Sequence, residues 1–160
     1  MKLIIQPAAN LPSSVFKKLI PLIGEGGQIP DLELLKQRII EADFIAMFLD
    51  GENIATTATL KNPIDNYKND VFQSAESKIR SLEYSKELGY IVTNPDYKNQ
   101  KLCQKLLTEI MPQVLKYNVF ATTRKAAMAH ILKKWGFQKE GKTYKGDLEL
   151  YITPLKSPLN

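Results

Sequence analysis

The chain is poor in the residues that build metal centres and disulfides. Its 160 residues hold one cysteine, Cys103, one histidine, His130, and one tryptophan, Trp135. A single cysteine excludes an internal disulfide and fits a reducing cytoplasm. With only one histidine beside it, a structural zinc site is not supplied, and no metal is expected. No apolar run approaches the roughly 20 residues that span a bilayer, so neither a transmembrane helix nor a membrane partner is expected. The opening MKLIIQPAAN carries one lysine and about three consecutive apolar residues, well short of a secretory core of roughly 7–15. Internal repeats and low-complexity tracts are absent as well.

The composition that remains, 44% apolar and 24% charged, is that of a soluble globular protein. The length suits a single domain, 1–160, large enough to bury a core. The net charge of +5 favours an anionic ligand or acidic substrate. Its lysines are spread along the chain and are not gathered into a basic face interleaved with aromatics, so nucleic acid is not expected as a partner.

Hydrophobic spacing predicts a strand over Lys2 to Gln6 and a helix over 11–23, with Pro12 suited to its first turn. Gly24, Gly26, Gly27 and Pro30 break the chain there, and Asp31 is the expected N-cap of a second helix through Leu32, Leu35, Ile39 and Ile40. Phe44 to Leu49 and Asn53 to Leu60 form a hairpin about Asp50-Gly51. Residues 61–83 show no clean period and read as a long connection that leaves room for one short helix, of the kind that forms lids or binding loops. A strand over Leu88 to Thr93 follows. The next helix, near 99–115, should be kinked or ended early by Pro112. Val119 to Thr123 is a buried strand. A helix over 125–135 should bury Met128, Ile131, Leu132 and Trp135, and Gly136 ends it. Phe137 to Thr143 and Leu148 to Thr153 close as a hairpin across Lys145-Gly146-Asp147. The expected class is α+β (mixed α/β), a sheet with helices on both faces.

The informative stretch is ELGYIVTNPDYKNQKLCQKLL, residues 87–107. An apolar β run stops at Asn94-Pro95, and a doubly basic loop opens into an amphipathic helix through Leu102, Leu106, Leu107 and Ile110. A strand, a turn and a helix N-terminus together present unpaired backbone N–H groups, the arrangement that holds phosphate oxygens. Lys98 and Lys101 stand beside those amides, so the loop reads as a diphosphate cradle.

Element order and two motifs resemble the GNAT superfamily of acyl-CoA-dependent N-acyltransferases. The family phrase V-x-P-x-Y-R-G-x-G-x-G is met by TNPDYKNQKLCQKLL. Pro95 and Tyr97 match, Thr93 stands for Val, Lys98 replaces Arg, and Lys101 and Cys103 occupy small-residue positions. The second phrase, N-x-x-A/M-x-x-L-Y-x-K-x-G-F, is met by KAAMAHILKKWGF at 125–137. There Met128, Lys134, Gly136 and Phe137 fit, while Lys125 replaces Asn and Leu132 replaces Tyr. Should residue 101 need a left-handed backbone, lysine costs about 1–2 kcal/mol there and returns a point charge.

The resemblance implies a mostly antiparallel sheet of about seven strands, splayed in its middle by a bulge near Tyr90 or Ile91. It implies acetyl-CoA as acyl donor, with the pantetheine arm lying between the 88–93 and 119–123 strands. The CoA-binding set would be Ile91, Val92 and Thr93 on the strand, Lys98, Asn99, Gln100, Lys101, Leu102, Cys103 and Gln104 at the loop and helix start, and Lys125. Transfer to a primary amine requires the free amine, and Glu87, with Glu83 as substitute, is the candidate general base. The family's acid tyrosine is replaced by Leu132, leaving Tyr144, Tyr117 or solvent to protonate the departing thiolate. The acceptor, a small-molecule or peptide amine, is not named by any motif. A homodimer is left open, and so is a CoA-binding domain without catalysis, given the missing glycines, Asn and Tyr.

Overall fold

The computed structural model describes residues 1–156. Seven strands run through it: Lys2–Gln6 (β1), Phe44–Asp50 (β2), Asn53–Lys61 (β3), Lys86–Thr93 (β4), Val119–Thr123 (β5), Gln138–Tyr144 (β6) and Leu148–Ile152 (β7). They form one open sheet in the order β1-β2-β3-β4-β5-β7-β6. The β1–β2, β2–β3, β5–β7 and β6–β7 pairs are antiparallel, and β4–β5 is parallel. Five α-helices lie between them in the described chain: Ser13–Gly26 (α1) and Leu32–Ile40 (α2) after β1, Asp65–Ser74 (α3) after β3, Leu102–Val114 (α4) after β4 and Ala126–Lys134 (α5) after β5. The described residues divide into two compact units, one of residues 1–62 and 88–112, the other of 63–87 and the chain from 113 onward.

In the first unit, α1 and α2 bury Leu19, Ile23, Leu35 and Ile39 with Ile45 and Met47 of β2, each at most 1% exposed. Burial of each such side chain stabilises by roughly 1.5–3 kcal/mol. The Asp31 carboxylate accepts the Leu34 N–H at 3.0 Å, a cap that contributes about 1 kcal/mol. In the second unit, Val71, Phe72 and Ala75 of the α3 segment pack with Tyr84, Phe120, Tyr144 and Leu150.

Several local expectations are corrected, while the one short helix that the reading of 61–83 left room for is found as the ten-residue α3. Its buried face is carried by only Lys68, Val71 and Phe72, too few apolar residues to show a helical period. Glycines 24 and 26 do not break α1, which runs on to Gly26. A Cβ at Gly24 would lie 2.5 Å from Leu32 and one at Gly26 2.4 Å from Val92, so close approach accounts for both glycines. Of the two effects expected of Pro112, the early end is not found, since α4 runs past it to Val114. Ile110, Met111 and Val114 are fully buried, and that burial outweighs one lost backbone bond near the helix end. The α4 helix begins at Leu102, not near 99. The β2–β3 turn is centred on Gly51 and Glu52, with Asp50 paired to Asn53 and Gly51 at φ 62°. Trp135, with Met128 and Ile131, is only half-buried; Ala129 and Leu132 are the buried residues of α5.

Candidate active site

The loop between β4 and α4 is tied down from both ends. Asn94 donates its backbone N–H to the Ala55 carbonyl at 2.8 Å and its side-chain amide to the Ile54 carbonyl at 3.0 Å. Its side-chain oxygen accepts the Asp96 N–H at 3.0 Å, the Asx turn that Asn before Pro favours. Tyr97 donates its hydroxyl to Asp50 at 2.8 Å, and that bond pushes the phenol above its usual value. Thr56 of β3 donates to the Val92 carbonyl at 3.1 Å and meets the Thr93 hydroxyl at 3.1 Å. The strand end and the loop entrance are therefore fixed to β3 and to the β2–β3 turn.

Between these anchors and α4 the backbone turns left-handed twice, at Asn99 (φ 63°) and Lys101 (φ 56°). Lys101 then caps α4, its carbonyl accepting the Lys105 N–H at 3.1 Å. Helix geometry leaves the amides of the first turn, beginning at Leu102, without intrahelical acceptors. Leu102 turns inward at 8% exposure, Cys103 is half-buried, and Lys98, Asn99, Gln100, Lys101 and Gln104 are exposed. Residues 98–101 and Gln104 thus form an exposed polar corner at the entrance to α4. Ile91 and Thr93 are half-buried and Val92 is buried. Before them, Tyr90 stands at φ 48°, uncommon for an aromatic residue, with the Lys61 ammonium 4.2 Å over its ring.

Glu87 belongs to the second unit. It is paired with Phe120 in the two-residue β4–β5 ladder, and at 2% exposure it is a buried carboxylate. Tyr67 of α3 donates its hydroxyl to Glu87 Oε2 at 2.8 Å. Burial, and after it the Glu87 charge, push the Tyr144 phenol up to about 12, so Tyr144 keeps its proton at neutral pH. Lys125 precedes α5 in the same unit and is exposed; its N–H donates to Thr123 Oγ1 at 3.0 Å. Leu132 is fully buried. Glu83, the substitute base, pairs with Arg80 at 2.9 Å. Tyr117 is 39% exposed, with the Lys86 ammonium 5.1 Å over its ring.

Sequence reasoning missed Tyr67, because the bounds and buried face of α3 were not legible, and it passed over Asn94 as an anchor, although Asn-Pro-Asp is a turn signal. Among the described residues no three His, Cys, Asp or Glu side chains group as metal ligands would, and no helix is long and apolar enough to cross a membrane.

No protein-family model matches the sequence, and no curated protein matches it by sequence. Solved structures do match. Escherichia coli ElaA superposes with a TM-score of 0.71 at 11% identity, over 96% of this chain and 99% of that one. A GNAT-family acetyltransferase from Streptococcus agalactiae gives 0.66 at 19% identity, over 98% and 96%. An aminoglycoside 6'-acetyltransferase type Ii gives 0.66 at 10% identity, over 99% and 100%. The element order, the seven-stranded open sheet and these superpositions agree: the chain has the fold of the GNAT superfamily of acyl-CoA N-acyltransferases.

Proposed function

We propose that the protein is an acyl-CoA-dependent N-acyltransferase that moves an acetyl group from the CoA thioester to a primary amine. The observation that carries this reading is the pair of left-handed residues, Asn99 and Lys101, leading into the first turn of α4. Turns of this kind gather successive N–H groups into an anion-binding concavity, and the helix N-terminus adds partial positive charge. Lys98 and Lys101 add full charges. That corner takes the CoA diphosphate, and the backbone of Ile91, Val92 and Thr93 takes the pantetheine amides.

In the reaction, the amine nitrogen attacks the thioester carbonyl carbon and forms the C–N bond. The Glu87 carboxylate takes the amine proton, directly or through a water. The tetrahedral intermediate collapses, the C–S bond breaks, and CoA leaves as thiolate, which takes up a proton. A thiol of pKa about 8.5 departs as thiolate at pH 7 for only about 2 kcal/mol. Solvent therefore suffices as acid.

The acceptor is a small-molecule or peptide amine. The test is thiol release from acetyl-CoA across a panel of a polyamine, an amino acid, an aminoglycoside and a peptide N-terminus, beside a thermal-shift titration with CoA. Amine-dependent thiol release with amide formed by mass supports the reading. No release with any of these amines, and no rise in melting temperature with CoA, overturns it.

A further inference from the structure

Tyr67 is the residue on α3 whose position the fold explains and whose role nothing above assigns. Its ring is 37% exposed, yet its hydroxyl turns inward to Glu87 Oε2 at 2.8 Å. The helix is held there by its inner face. Val71 and Phe72 are 5% and 4% exposed, and Phe72 meets Tyr84 at 5.6 Å and Phe120 at 5.3 Å between ring centroids. Phe120 is the residue paired with Glu87 across the β4–β5 ladder. Tyr67 lies four residues before Val71, on the same side of the helix. The packing that seats Phe72 on Phe120 therefore sets the Tyr67 hydroxyl on the neighbouring carboxylate.

A buried carboxylate needs donors to replace the water it has lost. Its terminal torsion is also broad, so a carboxylate without a fixed donor samples many orientations. One short hydrogen bond from a ring anchored on a packed helix restricts both.

We propose that Tyr67 is the positioning residue of the general base: it fixes the Glu87 carboxylate in the single orientation in which it receives the amine proton. The proposal rests on Glu87 being the base. Tyr67 does not touch the reacting atoms and exchanges no proton; it acts through the carboxylate alone.

The test is a double-mutant cycle with Tyr67→Phe and Glu87→Gln, read as kcat and as KM for acetyl-CoA, with the amine that the panel identifies. Tyr67→Phe keeps the ring, so packing on α3 stays and the melting curve reports any loss of fold separately. Glu87→Gln is expected to lower kcat by about 100-fold. Tyr67→Phe is expected to lower kcat by about tenfold with KM for acetyl-CoA unchanged. In the Glu87→Gln background, adding Tyr67→Phe is expected to change nothing further, because the group it orients is gone. A Tyr67→Phe kcat equal to wild type, or a Tyr67→Phe effect that persists undiminished in the Glu87→Gln background, overturns the positioning role while the base survives. Full activity in Glu87→Gln overturns the base and the positioning role together, with the transferase reading intact. No amine-dependent turnover in the wild type removes all three.

Discussion

The Lys101 carbonyl accepts the Lys105 N–H at 3.1 Å, so a lysine with φ 56° closes the first backbone bond of α4. A side chain held left-handed costs about 1–2 kcal/mol, whereas glycine tolerates that backbone and gives back about 0.5–1 kcal/mol in chain entropy. Lys101→Gly is therefore expected to raise the melting temperature by about 2 °C. The same change removes a charge from the corner and is expected to weaken CoA binding a few-fold. Calorimetry on one variant reads both. A Lys101→Gly protein less stable than wild type would show that the left-handed turn is not under strain.

Lys98 is exposed in the same loop, where it would meet the proposed diphosphate as a point charge in water. Reversing it in Lys98→Glu is expected to raise the CoA dissociation constant by about tenfold at low salt, and the difference should shrink as salt screens it. Isothermal titration at two ionic strengths checks this. Equal affinities at low salt would place the diphosphate elsewhere.

Two buried tyrosines, Tyr84 and Tyr144, are expected to contribute to the loss of stability at alkaline pH. Burial, then Glu140 and Glu83, push the Tyr84 phenol up to about 12, and burial, then Glu87, do the same for Tyr144. Below pH 10 both phenols are protonated folded or unfolded, and their full contribution is present. Between about 10 and 12 the unfolded chain releases these protons while the folded chain holds them, so stability falls as pH rises through that window. Tyr144→Phe is expected to flatten part of this fall in denaturant titrations at successive pH values. Tyr84→Phe also removes the 2.6 Å bond to the Thr153 carbonyl and should cost about 1–2 kcal/mol even at neutral pH.

Gly141 interrupts β6 at φ 67°, and a Cβ there would stand 2.0 Å from the Ala75 carbonyl oxygen. That carbonyl accepts the Lys142 N–H at 2.7 Å, so the end of α3 is locked to the strand and has no room to move. Gly141→Ala is expected to destabilise by more than about 2 kcal/mol, from the clash and the left-handed backbone together. Urea denaturation measures it. A loss below about 0.5 kcal/mol would mean that the contact yields.

Where the pattern was strong, the sequence was legible. The limits of β1 and β5 and the Asp31 cap follow from apolar alternation and a capping carboxylate. The left-handed backbone found at Lys101 answers a condition that the sequence raised, because the resemblance puts a small residue where lysine stands. What stayed hidden lacks a local signal. The helix α3 buries few apolar side chains, so its period is faint, and Tyr67 was hidden with it. The burial of Glu87 comes from helix packing and strand pairing that no short window records. Trp135 reads as a core residue by type, yet a side chain of that size at the end of a nine-residue helix is only half covered. Gly24 and Gly26 read as chain breaks, whereas tertiary contact with Leu32 and Val92 explains them.

The most direct measurement is a backbone amide chemical-shift titration with CoA, run beside pantetheine, which lacks the diphosphate. Amides of residues 99–104 are expected to move with CoA and to stay nearly still with pantetheine, whose effects should fall on Ile91, Val92 and Thr93. If saturating CoA leaves the amides at the start of α4 unmoved, the phosphate-binding corner, and the acyltransferase reading built on it, is contradicted.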